Sequence, residues 1–240
     1  MHIDSTLQIG AYHLHHCEDY LFHDYIGTGT LLCAVMDGCT MGTDSYLIAT
    51  LVGKLLRKIA KERHYLAFIQ PSPQPLSQQL ESIIHQLFNE LKIVKNQLQL
   101  EQREMLTTII VCLLTKEGGT GLVVGDGVVS IDGQVSIFEQ DNKPDYVGYH
   151  LQEDFAHWYT KQAFIHIPAY TDVSISTDGI SSFTALAGGE PDIDPLSYLL
   201  SDPGTLDKKL KYLEHQAGLM PTDDVAIIRV RNSHDNSPTQ

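Results

Sequence analysis

The stretch Leu31-Leu32-Cys33-Ala34-Val35-Met36-Asp37-Gly38 sets six apolar residues directly before an acid and a glycine. It reads as a β-strand that stops at a carboxylate, and the glycine lets the main-chain carbonyl there approach a ligand closely. The pattern returns at Val173-Ser174-Ile175-Ser176-Thr177, which runs into Asp178-Gly179. Asp223-Asp224 stands just before the apolar run Val225-Ala226-Ile227-Ile228, and Glu18-Asp19 precedes a further apolar stretch. Acids from four distant parts of the chain therefore fall at strand termini. A strand end holds backbone direction rigidly, which is what a site requires. Carboxylates gathered there repel one another unless a hard cation neutralises them, and an all-oxygen donor set selects magnesium, manganese or calcium over zinc. Two-metal hydrolysis is the chemistry such a cluster suits. Asp-Gly after a strand is also ordinary turn chemistry, so each pair taken singly reads as a turn.

Outward from these strands, Leu47, Ile48, Leu51, Val52, Leu55, Leu56 and Ile59 fall on one face of a helix that Thr43 or Asp44 can cap. A second stripe, Leu80, Ile83, Ile84, Leu87, Phe88, Leu91, Val94 and Leu98, follows Ser77 as its cap. Pro71, Pro73 and Pro75 force a loop between the two helices. Four β-rich runs come next: Thr107 to Thr115, Gly121 to Val124, Val128 to Ile131 and Gln134 to Phe138. Glu117-Gly118-Gly119, Gly125-Asp126-Gly127 and Asp132-Gly133 part them, which predicts one antiparallel meander. Further strands are expected at Ala163 to Ile167 and Val225 to Val230, and a helix at Leu206 to Ala217 behind the Asp202-Pro203-Gly204 turn. Helices cluster rather than alternate with strands, so an α+β layer fold is expected over a doubly wound parallel sheet. The length of 240 residues suits one domain, placed at residues 1–231, with a polar tail at 232–240.

Sixteen basic against 30 acidic side chains leave a net charge of −14. Such a field repels phosphate backbones and anionic lipid, which excludes nucleic acid as an expected partner. The longest apolar runs, Leu31 to Met36 and Ile109 to Leu114, fall far short of the roughly 18 to 20 residues that span a bilayer. Met1-His2-Ile3-Asp4 has neither the basic nor the apolar region of an export signal, so a cytoplasmic location is expected. Cys17, Cys33, Cys39 and Cys112 form no Cys-x-x-Cys pair and are expected as reduced thiols.

Taken in order, Glu18-Asp19, Leu32 to Gly38, Gly125-Asp126-Gly127, Ser174 to Gly179 and Thr222-Asp223-Asp224-Val225-Ala226-Ile227-Ile228 resemble the motif series of metal-dependent serine/threonine phosphatases of the 2C type. The resemblance runs from about residue 8 to 231. It implies a four-layer αββα sandwich, two packed antiparallel β-sheets flanked by helices. It also implies hydrolysis of phosphoserine or phosphothreonine on a phosphorylated protein partner. Carried over residue by residue, Asp37 bridges two magnesium or manganese ions and Gly38 gives its carbonyl to one of them. Asp178 and Asp223 are the remaining direct ligands on one ion, and Glu18 and Asp19 bind the cluster directly or through water. Asp126 falls where some bacterial relatives hold a third, weaker metal, and Asp224 is expected as a structural neighbour. The implied reaction is in-line attack by a metal-bridging water, with Asp37 and Asp19 as catalytic residues and no phosphoenzyme.

The chain also departs from that pattern. Where the family usually places an arginine, four residues before Glu18, stands Leu14, flanked by His13, His15 and His16. His13 and His15 are the expected substitutes in binding substrate phosphate. Cys39-Thr40-Met41-Gly42 follows Asp37-Gly38 in place of His-Gly-Gly or Met-Gly-Gly, and Gly127 replaces a serine. These departures keep open an alternative, a catalytically weak or inactive relative that binds a phosphorylated partner. On a strand, His13, His15 and Cys17 would share a face and could ligate zinc. Gly27-Thr28-Gly29 is expected as a hairpin turn and Cys39 as a small filler beside the site. Asp145 to Lys161 is either a substrate-selecting flap or a helix that packs its aromatics on the core.

Overall fold

The computed structural model describes residues 1–69, 74–140, 144–186, 192–201 and 203–232. Pro71, Pro73, Asp202 and the tail beyond residue 232 lie outside the described residues. In chain order the elements are β1 (His2–Gln8), β2 (Asp19–Tyr25), β3 (Leu31–Asp37), α1 (Ser45–Ile69), α2 (Leu76–Leu98), β4 (Ile109–Thr115) and β5 (Gly118–Val124). Then follow β6 (Gly127–Ile131), β7 (Gln134–Phe138), α3 (Phe155–Tyr159), β8 (Ala163–Ile167), β9 (Asp172–Ser176) and β10 (Phe183–Ala185). The last are α4 (Pro195–Leu200), α5 (Leu206–His215), β11 (Leu219–Pro221) and β12 (Val225–Arg231).

Two antiparallel five-stranded sheets form, one ordered β1-β12-β9-β6-β7 and the other β2-β3-β4-β5-β8, with β10 and β11 as a separate short ribbon. The unbroken apolar runs have a direct cause in this stacking. Along β3, Leu32, Ala34 and Met36 pack under α1 and α2, while Leu31, Cys33 and Val35 face the other sheet. Side chains alternate across a strand, so a strand with protein on both faces must be apolar at every position. On the far side, Val225 and Ile227 of β12 pack with Leu206, Leu210 and Leu213 of α5. The layers are therefore helix, sheet, sheet, helix, the expected four-layer sandwich. Among the described residues, no helix is long and apolar enough to cross a membrane.

Several local expectations are corrected. The four central strands are not one meander: β4 and β5 belong to one sheet and β6 and β7 to the other. The chain changes sheets at Gly125-Asp126-Gly127, where both glycines take positive φ (86° and 151°). Ser77 does not cap the second helix; Pro75 holds that position without a side-chain hydrogen bond, and Ser77 lies in the first turn. Residues 11–18 form no strand, so the shared face proposed for His13, His15 and Cys17 does not arise. Gly27 and Gly29 build the β2–β3 hairpin turn. Of the two readings of Asp145 to Lys161, the packed helix is found: Trp158 is 2 % exposed, with its ring 4.3 Å from that of Phe88.

Candidate functional site

Pairing of β2 with β3 sets Asp19 opposite Asp37 at one end of their sheet. In the other sheet β9 and β12 run antiparallel with Ser176 opposite Ile227. Asp178, just past β9, and Asp223-Asp224, just before β12, therefore emerge at a common end. The two ends meet at Thr177. Its hydroxyl donates to Asp19 Oδ2 at 2.6 Å, and its oxygen accepts from the Ala226 N–H at 2.9 Å. One side chain thus ties a carboxylate of one sheet to the backbone of the other. Glycines allow the close approach: a Cβ on Gly179 would fall 1.8 Å from the Asp224 carbonyl oxygen, and one on Gly38 would fall 2.2 Å from that of Ser45.

The carboxylates disturb one another. Burial, followed by the charges on Asp19, Asp178 and Asp223, holds the Asp37 carboxyl well above its usual range. Burial raises Asp19 as well; the Thr177 hydrogen bond opposes that rise, and Asp224, Asp178 and Asp223 add to it. Asp178 is pushed up to about 6, chiefly by desolvation and then by Asp223 and Asp126. Desolvation lifts Asp223 and Asp126 too. Each effect is the price of crowding anions away from water.

Asp224 plays a different part. It is 2 % exposed and accepts hydrogen bonds from the Gly10 N–H at 2.7 Å and the Glu18 N–H at 2.5 Å. His13 Nδ1 lies 2.9 Å from Asp224 Oδ2, the oxygen that also accepts from the Glu18 N–H, and His13 Nε2 lies 3.7 Å from the Glu18 carboxylate. Burial acts to lower the His13 pKa, but Asp224, Glu18 and Asp223 reverse this and leave it raised. His13 is therefore turned into an acidic nest, whereas Leu14 and His15 are exposed. His16 stacks on Tyr46 with ring centroids 4.2 Å apart. Cys39 is buried with Leu106 and Tyr146.

The residues present fit a hard divalent cation. Asp19, Asp37, Asp178 and Asp223 are an all-oxygen set in which His13, 3.8 Å from Asp223, offsets one carboxylate, and Glu18 Oε2 and Asp126 Oδ1 are buried with no hydrogen-bond partner among the described residues. Among those residues no three His, Cys, Asp or Glu side chains already stand in a metal-holding arrangement. Sequence reasoning missed two residues here. Thr177 was legible only as the last residue of the strand motif before Asp178. Tyr146, whose phenol is pushed up in pKa by burial and by the neighbouring Cys39, packs with Cys39 and Leu106 beside the site.

Residues 9–214 match the family described as Protein phosphatase 2C, and the chain belongs to that family. Solved structures share the fold. The serine/threonine phosphatase Stp1 from Staphylococcus aureus superposes with a TM-score of 0.62 at 14% identity, covering 97% of this chain and 95% of that one. The S. agalactiae serine/threonine phosphatase gives a TM-score of 0.63 at 14% identity, covering 97% and 99%. RsbX, solved in complex with magnesium, gives 0.56 at 16% identity, covering 97% and 96%. No curated protein sequence matches the chain.

Proposed function

We propose that this chain is a cytoplasmic, metal-dependent phosphoprotein phosphatase acting on phosphoserine or phosphothreonine, with residues 1–231 as its single domain. The observation that supports this best is the arrival of Asp19, Asp37, Asp178 and Asp223 at the shared end of two sheets, where burial and then the charges of Asp178 and Asp223 raise the pKa of both Asp19 and Asp37. Asp37, the Gly38 carbonyl, Asp19, Glu18, Asp178 and Asp223 would hold two magnesium or manganese ions, with Asp126 available to a third. Bound there, the ions supply a water of lowered pKa and offset charge on the phosphoryl oxygens. The chain's own residues do the positioning. Thr177 fixes one oxygen of Asp19, and Asp19, whose carboxyl meets that of Asp37, would with it orient the attacking water. Asp224 pins the Gly10 and Glu18 backbone beneath them. The test is hydrolysis of p-nitrophenyl phosphate by the wild type and Asp37→Asn. Manganese- or magnesium-stimulated turnover that the substitution abolishes is expected; no turnover with either ion, on this ester or on phosphopeptides, sinks the proposal.

A second reading is a weak or inactive relative that binds a phosphorylated partner. It is favoured by one observation: Leu14 is 83% exposed where the family holds an arginine, while His13 faces carboxylates rather than an incoming phosphate. Tight binding of a phosphopeptide without its hydrolysis would select this reading.

A further inference from the structure

We propose that the solvent-facing stripe of α1 is a docking site for an acidic segment of a partner protein, anchored by one apolar side chain. In a chain of net charge −14, five of the 16 basic residues, Lys54, Arg57, Lys58, Lys61 and Arg63, fall within ten positions that hold one acid, Glu62. Positions 54, 57, 58, 61, 64, 65 and 68 share one helix face by their three- and four-residue spacing, and all seven are exposed. Lys58 is paired with Glu90 at 2.5 Å, and Arg63 turns away to Ser82 and Gln86. Among the described residues, no carboxylate stands within ion-pair distance of Lys54, Arg57 or Lys61.

The same stripe ends in aromatics. Tyr65 is 65% and Phe68 85% exposed, and with Tyr25, His64 and Lys61 they line a groove of about 590 Å³. Among the described residues Asp24 is the one acid in its lining, and its Oδ1 accepts from the Tyr25 N–H. Large apolar surface beside charge marks a contact site. From Lys54 to Phe68 the helix rises about 21 Å, a length that roughly six extended residues span.

Charge decides the class of occupant. A short acidic peptide lying on this stripe feels chiefly the charges within a Debye length of about 8 Å. A duplex or a bilayer extends beyond the stripe and meets the acidic remainder of the surface. The aromatic groove adds an apolar requirement that a peptide side chain meets.

The experiment uses the full chain and a fluorescein-labelled, glutamate-rich peptide with a central Phe-Leu pair, read by fluorescence anisotropy. Two variants, K54E/R57E/K61E and Y65A/F68A, change exposed side chains only, and thermal melts check that both remain folded. The expected result is binding by the wild type that weakens about tenfold or more in each variant and falls as salt rises. Equal affinity in the wild type and the charge-reversed variant overturns the proposal. So does absence of peptide binding, whether alone or together with binding to phosphatidylserine vesicles or an oligonucleotide. Sedimentation showing a dimer that the charge reversal dissolves also overturns it, since a second copy would then be the occupant. Peptide binding is measured without turnover, so its outcome is independent of phosphatase activity.

Discussion

Replacing Asp178 with asparagine is expected to stabilise the protein when divalent cations are withheld. Asp178 carries a pKa raised from 3.8 to about 6 in the folded chain, by desolvation first and then by Asp223 and Asp126. A group raised on folding opposes the folded state once it is ionised, so the penalty is complete above pH 6. As pH falls from about 6 to about 4 the folded carboxyl protonates before the unfolded one and the penalty disappears. Taken whole, the rise corresponds to roughly 3 kcal/mol. Asp178 retains solvent access, and screening reduces the usable figure to about 1 kcal/mol. For a chain of this size that is a Tm increase of roughly 2–4 °C. The assay is thermal or urea unfolding of wild type and Asp178→Asn in EDTA at pH 7.5, 5 and 4. The variant should lead at pH 7.5 and the gap should close by pH 4. With manganese added, the wild type should gain more than the variant. A variant less stable than wild type at pH 7.5, or a gap independent of pH, would refute the reasoning that these acids are crowded against their own repulsion.

Other outcomes follow from single contacts. Thr177→Val removes the hydroxyl that bonds both Asp19 and the Ala226 N–H, and should cost about 1–3 kcal/mol in urea unfolding while weakening manganese binding measured by calorimetry. Gly179→Ala drives a Cβ to 1.8 Å from the Asp224 carbonyl oxygen, so the variant should be destabilised by more than about 3 kcal/mol or fail to accumulate in soluble form. Trp158→Ala empties a site packed against Phe88 and should cost about 3–5 kcal/mol by the same unfolding measurement. Leu14→Arg changes an exposed position, so stability should hold within about 0.5 kcal/mol. If phosphate gripping is what the chain lacks, kcat/KM for a phosphopeptide should rise about tenfold, and an unchanged value would argue that recognition lies elsewhere.

The layered architecture was legible wherever burial on both faces imposed a continuous apolar run, as in β3, β4 and β12. It was illegible in β1, an edge strand whose residues are mostly half-buried or exposed and whose pairing comes entirely from β12 at the far end of the chain. β10 and β11, three residues each, carry no period to detect. Gly125-Asp126-Gly127 has hairpin composition but acts as a crossing between sheets, because turn chemistry specifies backbone angles and not the sheet that receives the next strand. At the site, alternation suggested a strand for His13 and His15, yet the segment is held as a loop by Ala11 and Tyr12 donating to the Pro221 and Thr222 carbonyls. Those partners lie some two hundred residues away, beyond the reach of any local pattern. The positions of Asp37 and Asp178 were readable because each closes a strand; the Thr177 bond that joins their sheets was not, since a hydroxyl beside an acid has no periodicity.

That bond has a mechanical consequence. Asp19 and Asp37 ride on one sheet, Asp178 and Asp223 on the other, so the spacing of the four acids is a gauge of how the two leaves sit against each other. Val35, Ile110, Ile175 and Ile228 fill the seam between the leaves. A change of volume at any of them would slide one leaf over its neighbour and retune the distances at the rim without touching an acid.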